Sequence, residues 1–118
     1  MQNFERINIQ HDKFIAIKIN LSRATLKETS EFRDYLDDLF KDTNKNIIID
    51  LTACEYLDSS FLGALVSLLK RLALMNRSLN IVFDRNKDTH NPEIFSITKM
   101  DKIFKIFNTL EEAFTSHL

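Results

Sequence analysis

The feature that most restricts the fold is a run of three isoleucines followed by an aspartate and a leucine, Ile47-Ile48-Ile49-Asp50-Leu51. Three consecutive β-branched residues are typical of a strand that is buried on both faces, and such strands pair in parallel with helices packed above or below the sheet. The spacing of the apolar residues that follow predicts a helix from Ser60 to Met75 and a strand over Leu79–Phe83. Strand, helix and strand then form a βαβ unit, whose crossover is right-handed in nearly all proteins.

The residues before this unit predict a hairpin and a helix. Apolar and polar residues alternate over Phe4–Gln10 and again over Phe14–Ile19, with a polar turn between them, which favours two paired strands. An amphipathic helix is then predicted from Leu26 to Phe40. Thr25 and Glu28 have the spacing of a capping box at its start. The apolar face of this helix comprises Leu26, Thr29, Phe32, Leu36, Leu39 and Phe40.

The last third of the chain predicts two short helices and one strand. Asn91-Pro92 is typical of a helix start, because proline has no N–H group to leave unpaired in the first turn. Phe104–Phe107 is predicted as a strand, and Thr109 with Glu112 forms a second capping box before a C-terminal helix. The order is therefore ββαβαβαβα. It indicates an α/β fold with a mixed, mostly parallel β-sheet that opens with a hairpin and is covered by about four α-helices.

Length and composition predict a single domain and a location for it. A chain of 118 residues with 44% hydrophobic content suffices for one core, so we expect one domain over 1–118. The 16 basic and 17 acidic residues give a formal charge of −1, and these totals imply no basic surface for nucleic acid. The sequence has neither an apolar run of about 18 residues nor the pattern of a secretory leader. These observations predict a cytoplasmic protein that does not insert into membranes.

The most informative segment is Ile47–Leu65, IIIDLTACEYLDSSFLGAL, which leads from the buried strand into Asp58-Ser59-Ser60-Phe61-Leu62-Gly63 at the start of the second helix. This segment resembles the STAS family, in which a strand ending in Asp-Leu is followed by a connection and an Asp-Ser-Ser/Thr-x-Leu-Gly segment. Thr109–Ala113 is similar to the family's last helix, and the order of elements matches over essentially the whole chain. The resemblance implies a STAS-like fold and the function of an anti-sigma factor antagonist.

The resemblance also implies a partner-switching cycle without catalysis. The unmodified antagonist binds an anti-sigma factor that is also a serine kinase, phosphorylation of the signature serine releases it, and a phosphatase resets it. By position that serine is Ser59, with Ser60 as the second choice. A phosphoserine adds about −1.5 to −2 charges. The first turn of a helix accommodates this charge, whereas a docked partner is repelled by it, particularly beside Asp58.

The resemblance and the apolar second helix predict a partner surface. Serine is also a preferred helix cap, and we expect Ser60 to cap the second helix. A helix that is apolar on so many sides is deeply buried or has a surface to cover. We therefore expect Phe61 in an exposed docking patch, the alternative being that it fills the edge of the core. The residues expected at the partner contact are Thr25, Asp58, Ser59, Ser60, Phe61, Leu62 and Ala64.

Two positions depart from the family pattern. Phe61 stands where members usually have glycine after the paired hydroxyl residues, and Ser22-Arg23-Ala24-Thr25 lacks the Gly-x-x-Asp-like pattern of antagonists. Thr25 can cap the first helix, but it cannot supply a carboxylate to a kinase. A STAS subunit held in another complex without phosphorylation, such as a lipid-transport ATPase assembly or a stress-signalling scaffold, is the alternative. The apolar second helix also leaves a homodimer open.

The sequence does not favour a catalytic or metal-binding site. Cys54 has no nearby histidine and is expected to be a buried, inert thiol. The residues around Ser59 do not form a Gly-x-Ser-x-Gly elbow. His11, His90 and His117 lack the paired spacing of metal ligands and are expected to be solvated. We expect no enzyme activity and no cofactor or metal.

A phosphate-accepting receiver domain is the remaining enzyme-like alternative. Asp50 and Asp84 fall at the ends of predicted strands, where open α/β sheets often bind ligands. A receiver would begin with one strand, an acidic pair and a helix, whereas this chain begins with a hairpin. We expect the Asp50 side chain to bond to the backbone of the turn that leaves the sheet.

Overall fold

In a computed structural model of the chain, residues 2–83 and 102–116 are described. These ranges contain seven strands and three helices. The strands are β1 Phe4–Arg6, β2 Phe14–Ile19, β3 Arg23–Ala24, β4 Asn46–Asp50, β5 Tyr56–Leu57, β6 Leu79–Val82 and β7 Lys105–Phe107. The helices are α1 Leu26–Asp42, α2 Ser59–Leu74 and α3 Leu110–Thr115.

Five strands form one mixed sheet in the order β1-β2-β4-β6-β7. β1 is antiparallel to β2, and the other three strand pairs are parallel. The register places Ile17, Ile49 and Ile81 side by side on the three central strands. The structure therefore confirms the predicted α/β fold, with a mostly parallel sheet that opens with a hairpin.

β4 lies at the centre of the sheet and is buried on both faces. Ile47, Ile48 and Ile49 are all fully buried. Because side chains alternate along a strand, Ile47 and Ile49 pack into the larger core with α1 and α2, and Ile48 packs into a smaller core with α3. This two-sided burial confirms the prediction made from the three consecutive isoleucines.

The helices form a layer on each face of the sheet. α1 and α2 pack on one face and also against each other. On the other face, Ala113 and Phe114 of α3 pack on β2 and β4, and the Phe114 ring meets Phe14 edge to face at 6.3 Å between centroids. A short helix of six residues thus covers a smaller core than the one beneath α1 and α2.

Some elements differ from the sequence prediction. β3 and β5 form a separate two-stranded parallel sheet that the predicted order does not contain. Two residues are too few to show the alternation by which a strand is recognised. The helix predicted after Pro92 lies outside the described residues, and the described ranges contain the other three predicted helices.

Candidate functional site

The short sheet of β3 and β5 brings the starts of two helices together. Its parallel register pairs Arg23 with Tyr56 and Ala24 with Leu57. The Asp58 N–H donates to the Ala24 carbonyl oxygen at 3.0 Å. Because α1 begins directly after Thr25 and α2 directly after Asp58, the N-terminal ends of both helices lie side by side.

Asp58 joins these two helices through a single carboxylate. Its Oδ1 accepts a hydrogen bond from the Phe61 N–H at 2.9 Å, and its Oδ2 accepts one from the Leu26 N–H at 2.8 Å. Helix N-termini leave N–H groups unpaired and carry partial positive charge, so one carboxylate stabilises both helix starts. The prediction that Ser60 caps α2 is wrong, because Asp58 is the N-cap residue.

Replacement of Asp58 tests this bridge. We expect Asp58→Ala to lower the free energy of unfolding by about 2–3 kcal/mol, since a helix cap and a hydrogen bond to a charged group are both lost. Asp58→Asn keeps one acceptor oxygen and should cost about half as much. Urea unfolding followed by circular dichroism measures both values. A loss below about 0.5 kcal/mol for Asp58→Ala, the range of ordinary surface substitutions, would contradict the bridge.

Thr25 caps α1 and is engaged within its first turn. The Thr25 Oγ1 accepts a hydrogen bond from the Lys27 N–H at 3.3 Å, and the Glu28 carboxylate accepts one from the Thr25 N–H at 3.2 Å. The Thr25 side chain also accepts from the N–H of Glu28, the N3 residue, so both halves of the predicted capping box are present. The Thr25 hydroxyl is therefore occupied by hydrogen bonds within the first turn of α1.

The two serines of the signature segment differ in accessibility. Ser59 is the first residue of α2 and is exposed, whereas Ser60 is half-buried. Within the described ranges, the Ser59 hydroxyl makes no hydrogen bond. Ser59 therefore presents a reachable hydroxyl at the point where the two helices begin.

Phe61 and Ala64 do not contribute to an exposed patch. Phe61 is fully buried and its ring stacks on Phe32 of α1 with 4.8 Å between centroids. Ala64 is only 2% exposed. The predicted docking role of these two side chains is wrong, because the additional apolar side of α2 packs against α1. Leu62 is half-buried and packs against the edge of the same core.

The family of the chain follows from comparison with models of known protein families. A family model described as the STAS domain matches residues 16–113. The chain belongs to the STAS domain family. A Thermotoga neapolitana protein named as a homologue of the anti-sigma factor antagonist TM1081 is 30% identical over 96 residues, which cover 81% of this STAS chain and 79% of that protein.

Solved structures show the same fold. The crystal structure of TM1081 from Thermotoga maritima, named as an anti-sigma factor antagonist, has a TM-score of 0.70 at 26% identity and covers 93% of this chain and 90% of that one. An anti-sigma factor antagonist from Mycobacterium paratuberculosis has a TM-score of 0.72 at 22% identity, covering 96% and 92%. The antagonist SpoIIAA in its unphosphorylated form has a TM-score of 0.66 at 13% identity, covering 97% and 96%. The last two show a shared fold alone.

Three surface features of this STAS domain lie beside Ser59 or on the same helix and were not predicted. Leu26, assigned to the apolar face of α1, is 68% exposed. At 100° per residue, Leu26 lies about 100° around the helix from the centre of the buried positions. A helical wheel drawn from the sequence would therefore have placed Leu26 at the margin of the apolar face. Gly63 is exposed on α2, and a Cβ there would meet nothing within 4 Å. The Arg23 guanidinium lies 4.2 Å from the centre of the Tyr56 ring.

Two other predicted residues have structural roles. The Asp50 carboxylate accepts hydrogen bonds from the Thr52 N–H at 2.9 Å and from the Thr52 hydroxyl at 2.7 Å, which confirms its predicted role in the turn after β4. Cys54 is fully buried and its thiol lies 3.2 Å from the Tyr56 carbonyl oxygen, which confirms the predicted burial. Asp84 lies outside the described residues.

The histidine prediction needs a correction. His11 is half-buried, its Nδ1 accepts hydrogen bonds from the N–H groups of Lys13 and Phe14, and its ring lies 5.2 Å from that of Phe114. His11 therefore orders the turn before β2 and is only partly solvated. His90 and His117 lie outside the described residues.

Residues 2–83 and 102–116 contain neither a metal-binding cluster nor a membrane-spanning helix. In these ranges, no group of three or more histidine, cysteine, aspartate or glutamate side chains is close enough to hold a metal ion. The helices in the same ranges are too short or too polar to cross a membrane.

Proposed function

We propose that this STAS protein is an anti-sigma factor antagonist that acts by binding, and that Ser59 is its switch. The observation that supports this most directly is the position of Ser59, exposed at the first residue of α2. Leu26, which is 68% exposed, is tied to the same point through Asp58. An apolar side chain that is exposed beside a reachable hydroxyl suits a protein contact that a change of charge can break.

The electrostatics at the start of α2 suggest that phosphorylation of Ser59 would repel a partner without disturbing the fold. A phosphate on Ser59 would lie at the positive end of α2, which stabilises negative charge. It would also stand next to Asp58, whose two oxygens already accept from Phe61 and Leu26. The fold can therefore tolerate the phosphate, while a partner packed over Ser59 meets added bulk and about two negative charges.

The cycle we propose has three components besides the chain. The unmodified protein binds an anti-sigma factor that is also a serine kinase, and the sigma factor is released. Phosphorylation of Ser59 by this partner ends the complex, and a phosphatase restores the binding form. The antagonist itself performs no chemistry, and we place the cycle in the cytoplasm.

Phosphorylation by a kinase from the same genome tests this function. The purified chain, incubated with ATP and each candidate anti-sigma kinase, should gain the mass of one phosphate, and peptide mapping should locate it on Ser59. Ser59→Ala should abolish the gain, whereas the neighbouring control Ser60→Ala should retain it, because the half-buried Ser60 is the less accessible hydroxyl. Modification of Ser60 in the wild-type chain, or of neither serine by any candidate, would contradict Ser59 as the switch.

A STAS subunit held permanently in another complex is the second candidate. The observation that favours it is the first turn of α1, where the Glu28 carboxylate is engaged by Thr25 and Thr25 supplies no acid. This chain therefore lacks a free carboxylate at the position where antagonists usually carry one. Stable co-purification with a transport or scaffold component, without phosphate on Ser59, would support this candidate over the switch.

A further inference from the structure

An exposed arginine and a half-buried tyrosine form a small platform next to the proposed switch. Arg23 and Tyr56 are register partners in the sheet of β3 and β5, and the Arg23 guanidinium lies 4.2 Å from the centre of the Tyr56 ring. Arg23 is exposed. A cation held over an aromatic face loses part of its freedom before any partner arrives. We call these two residues the Arg23–Tyr56 platform.

Some charged groups around the platform already make hydrogen bonds within the chain, and others do not. Glu28 and Asp58, two of the nearby carboxylates, accept hydrogen bonds from backbone N–H groups at the helix starts. Within the described ranges, the charged groups of the Arg23 and Lys27 side chains make neither a salt bridge nor a hydrogen bond. Glu55 is the exposed acid beside Tyr56. Among the described residues, the charged groups without a hydrogen bond or an ion pair therefore include two cations, Arg23 and Lys27, and one anion, Glu55.

We propose that Arg23, held on Tyr56, is a specificity-determining contact that binds a carboxylate on the anti-sigma factor partner. This inference rests on the proposed function and names the chemistry of its partner: an acidic side chain opposite Arg23, next to an apolar group opposite Leu26. Guanidinium and carboxylate pair through two parallel hydrogen bonds, which gives geometric selectivity as well as attraction. A partner with an acidic surface is also one that a phosphate on Ser59 repels.

The first part of the test needs the chain alone. Nuclear magnetic relaxation of arginine Nε–H groups should show Arg23 to be more ordered than Arg33, an exposed arginine on α1 that serves as the internal reference. Tyr56→Ala should remove the difference, because the ring that holds the guanidinium is then absent. Equal mobility of Arg23 and Arg33 in the wild-type chain would overturn the platform, whatever partner is found.

The second part uses the anti-sigma factor identified by the phosphorylation experiment. Arg23→Glu should weaken its binding at least about tenfold, and an acid-to-lysine change on the partner surface should restore part of the loss. Lys41→Glu is the control, since Lys41 is also an exposed cation but lies at the far end of α1, where it pairs with the exposed Asp38 at 3.9 Å, and it should change the affinity less than about twofold. Arg23→Lys should give an intermediate loss, because lysine keeps the charge without the planar fork.

The outcomes separate this inference from the function on which it rests. Wild-type binding that Arg23→Glu leaves unchanged would overturn the role of Arg23 and leave the antagonist function intact. Failure of every candidate anti-sigma factor to bind the wild-type chain would overturn the function and the inference together. Circular dichroism of the folded Arg23→Glu protein establishes that lost binding reflects the contact, because this exposed side chain contributes little to the core.

Discussion

Replacing Phe61 with alanine is expected to lower the free energy of unfolding by about 3–5 kcal/mol. The Phe61 ring is fully buried and stacked on Phe32, so truncation removes apolar burial and leaves a cavity where α1 meets α2. A loss of this size is a large fraction of the 5–15 kcal/mol that typically stabilises a domain. Chemical unfolding in urea measures it, as a shift of the midpoint without a large change in slope.

Two variants serve as controls for the Phe61 result. Phe61→Leu keeps most of the apolar volume and should cost less than about 1.5 kcal/mol. Leu26→Ala also removes an apolar side chain, but Leu26 is 68% exposed, and it should change stability by no more than about 0.5 kcal/mol. If Phe61→Ala costs as little stability as Leu26→Ala, the Phe61 ring does not pack between α1 and α2.

The burial of Phe61 also affects how binding experiments are interpreted. If a Phe61→Ala protein fails to bind a partner, the cause can be partial unfolding as well as the loss of a contact. Leu26→Ala is the informative substitution, because it removes exposed apolar surface beside Ser59 without disturbing the core. If the proposed surface is correct, Leu26→Ala weakens partner binding while the melting curve stays in place.

A phosphate on Ser59 is expected to reduce partner affinity at least about 100-fold, or roughly 3 kcal/mol. The added charge stands at an exposed helix start beside Asp58 and faces any protein packed on Leu26. The stability of the chain itself should change by less than about 1 kcal/mol, because the positive end of α2 offsets part of the repulsion from Asp58. Thermal unfolding of the protein with and without phosphoserine at position 59 measures this second quantity.

The central sheet could be predicted because its pattern is local. The run Ile47–Leu51 shows burial on both faces, and alternation over Phe14–Ile19 predicts the neighbouring strand. β3 and β5 could not be predicted, since each has two residues and their pairing joins segments about thirty positions apart. That small sheet nevertheless decides the geometry of the site, because it places the two helix starts together.

The site was predicted in position but only partly in its contacts. The segment that begins at Asp58 indicated the start of the second helix to within one residue, and the family resemblance selected Ser59, which the structure places on the surface. It could not show that Asp58 also accepts from the Leu26 N–H, because that group is 32 residues away in the sequence. The apolar character of Phe61 was correctly noted, but a pattern cannot distinguish a partner protein from α1 as the surface that covers it.

The association constant of the Ser59-phosphorylated protein measures directly whether the charge at position 59 controls partner binding. Phosphoserine can be introduced during synthesis at position 59, and a second preparation modified at position 60 serves as the control. Each protein is titrated calorimetrically against the anti-sigma factor that binds the unmodified chain. We expect tight binding without phosphate and a loss of at least about 100-fold with phosphate on Ser59. Equal affinity of the unmodified and Ser59-phosphorylated proteins would show that the exposed hydroxyl at the start of α2 does not control association.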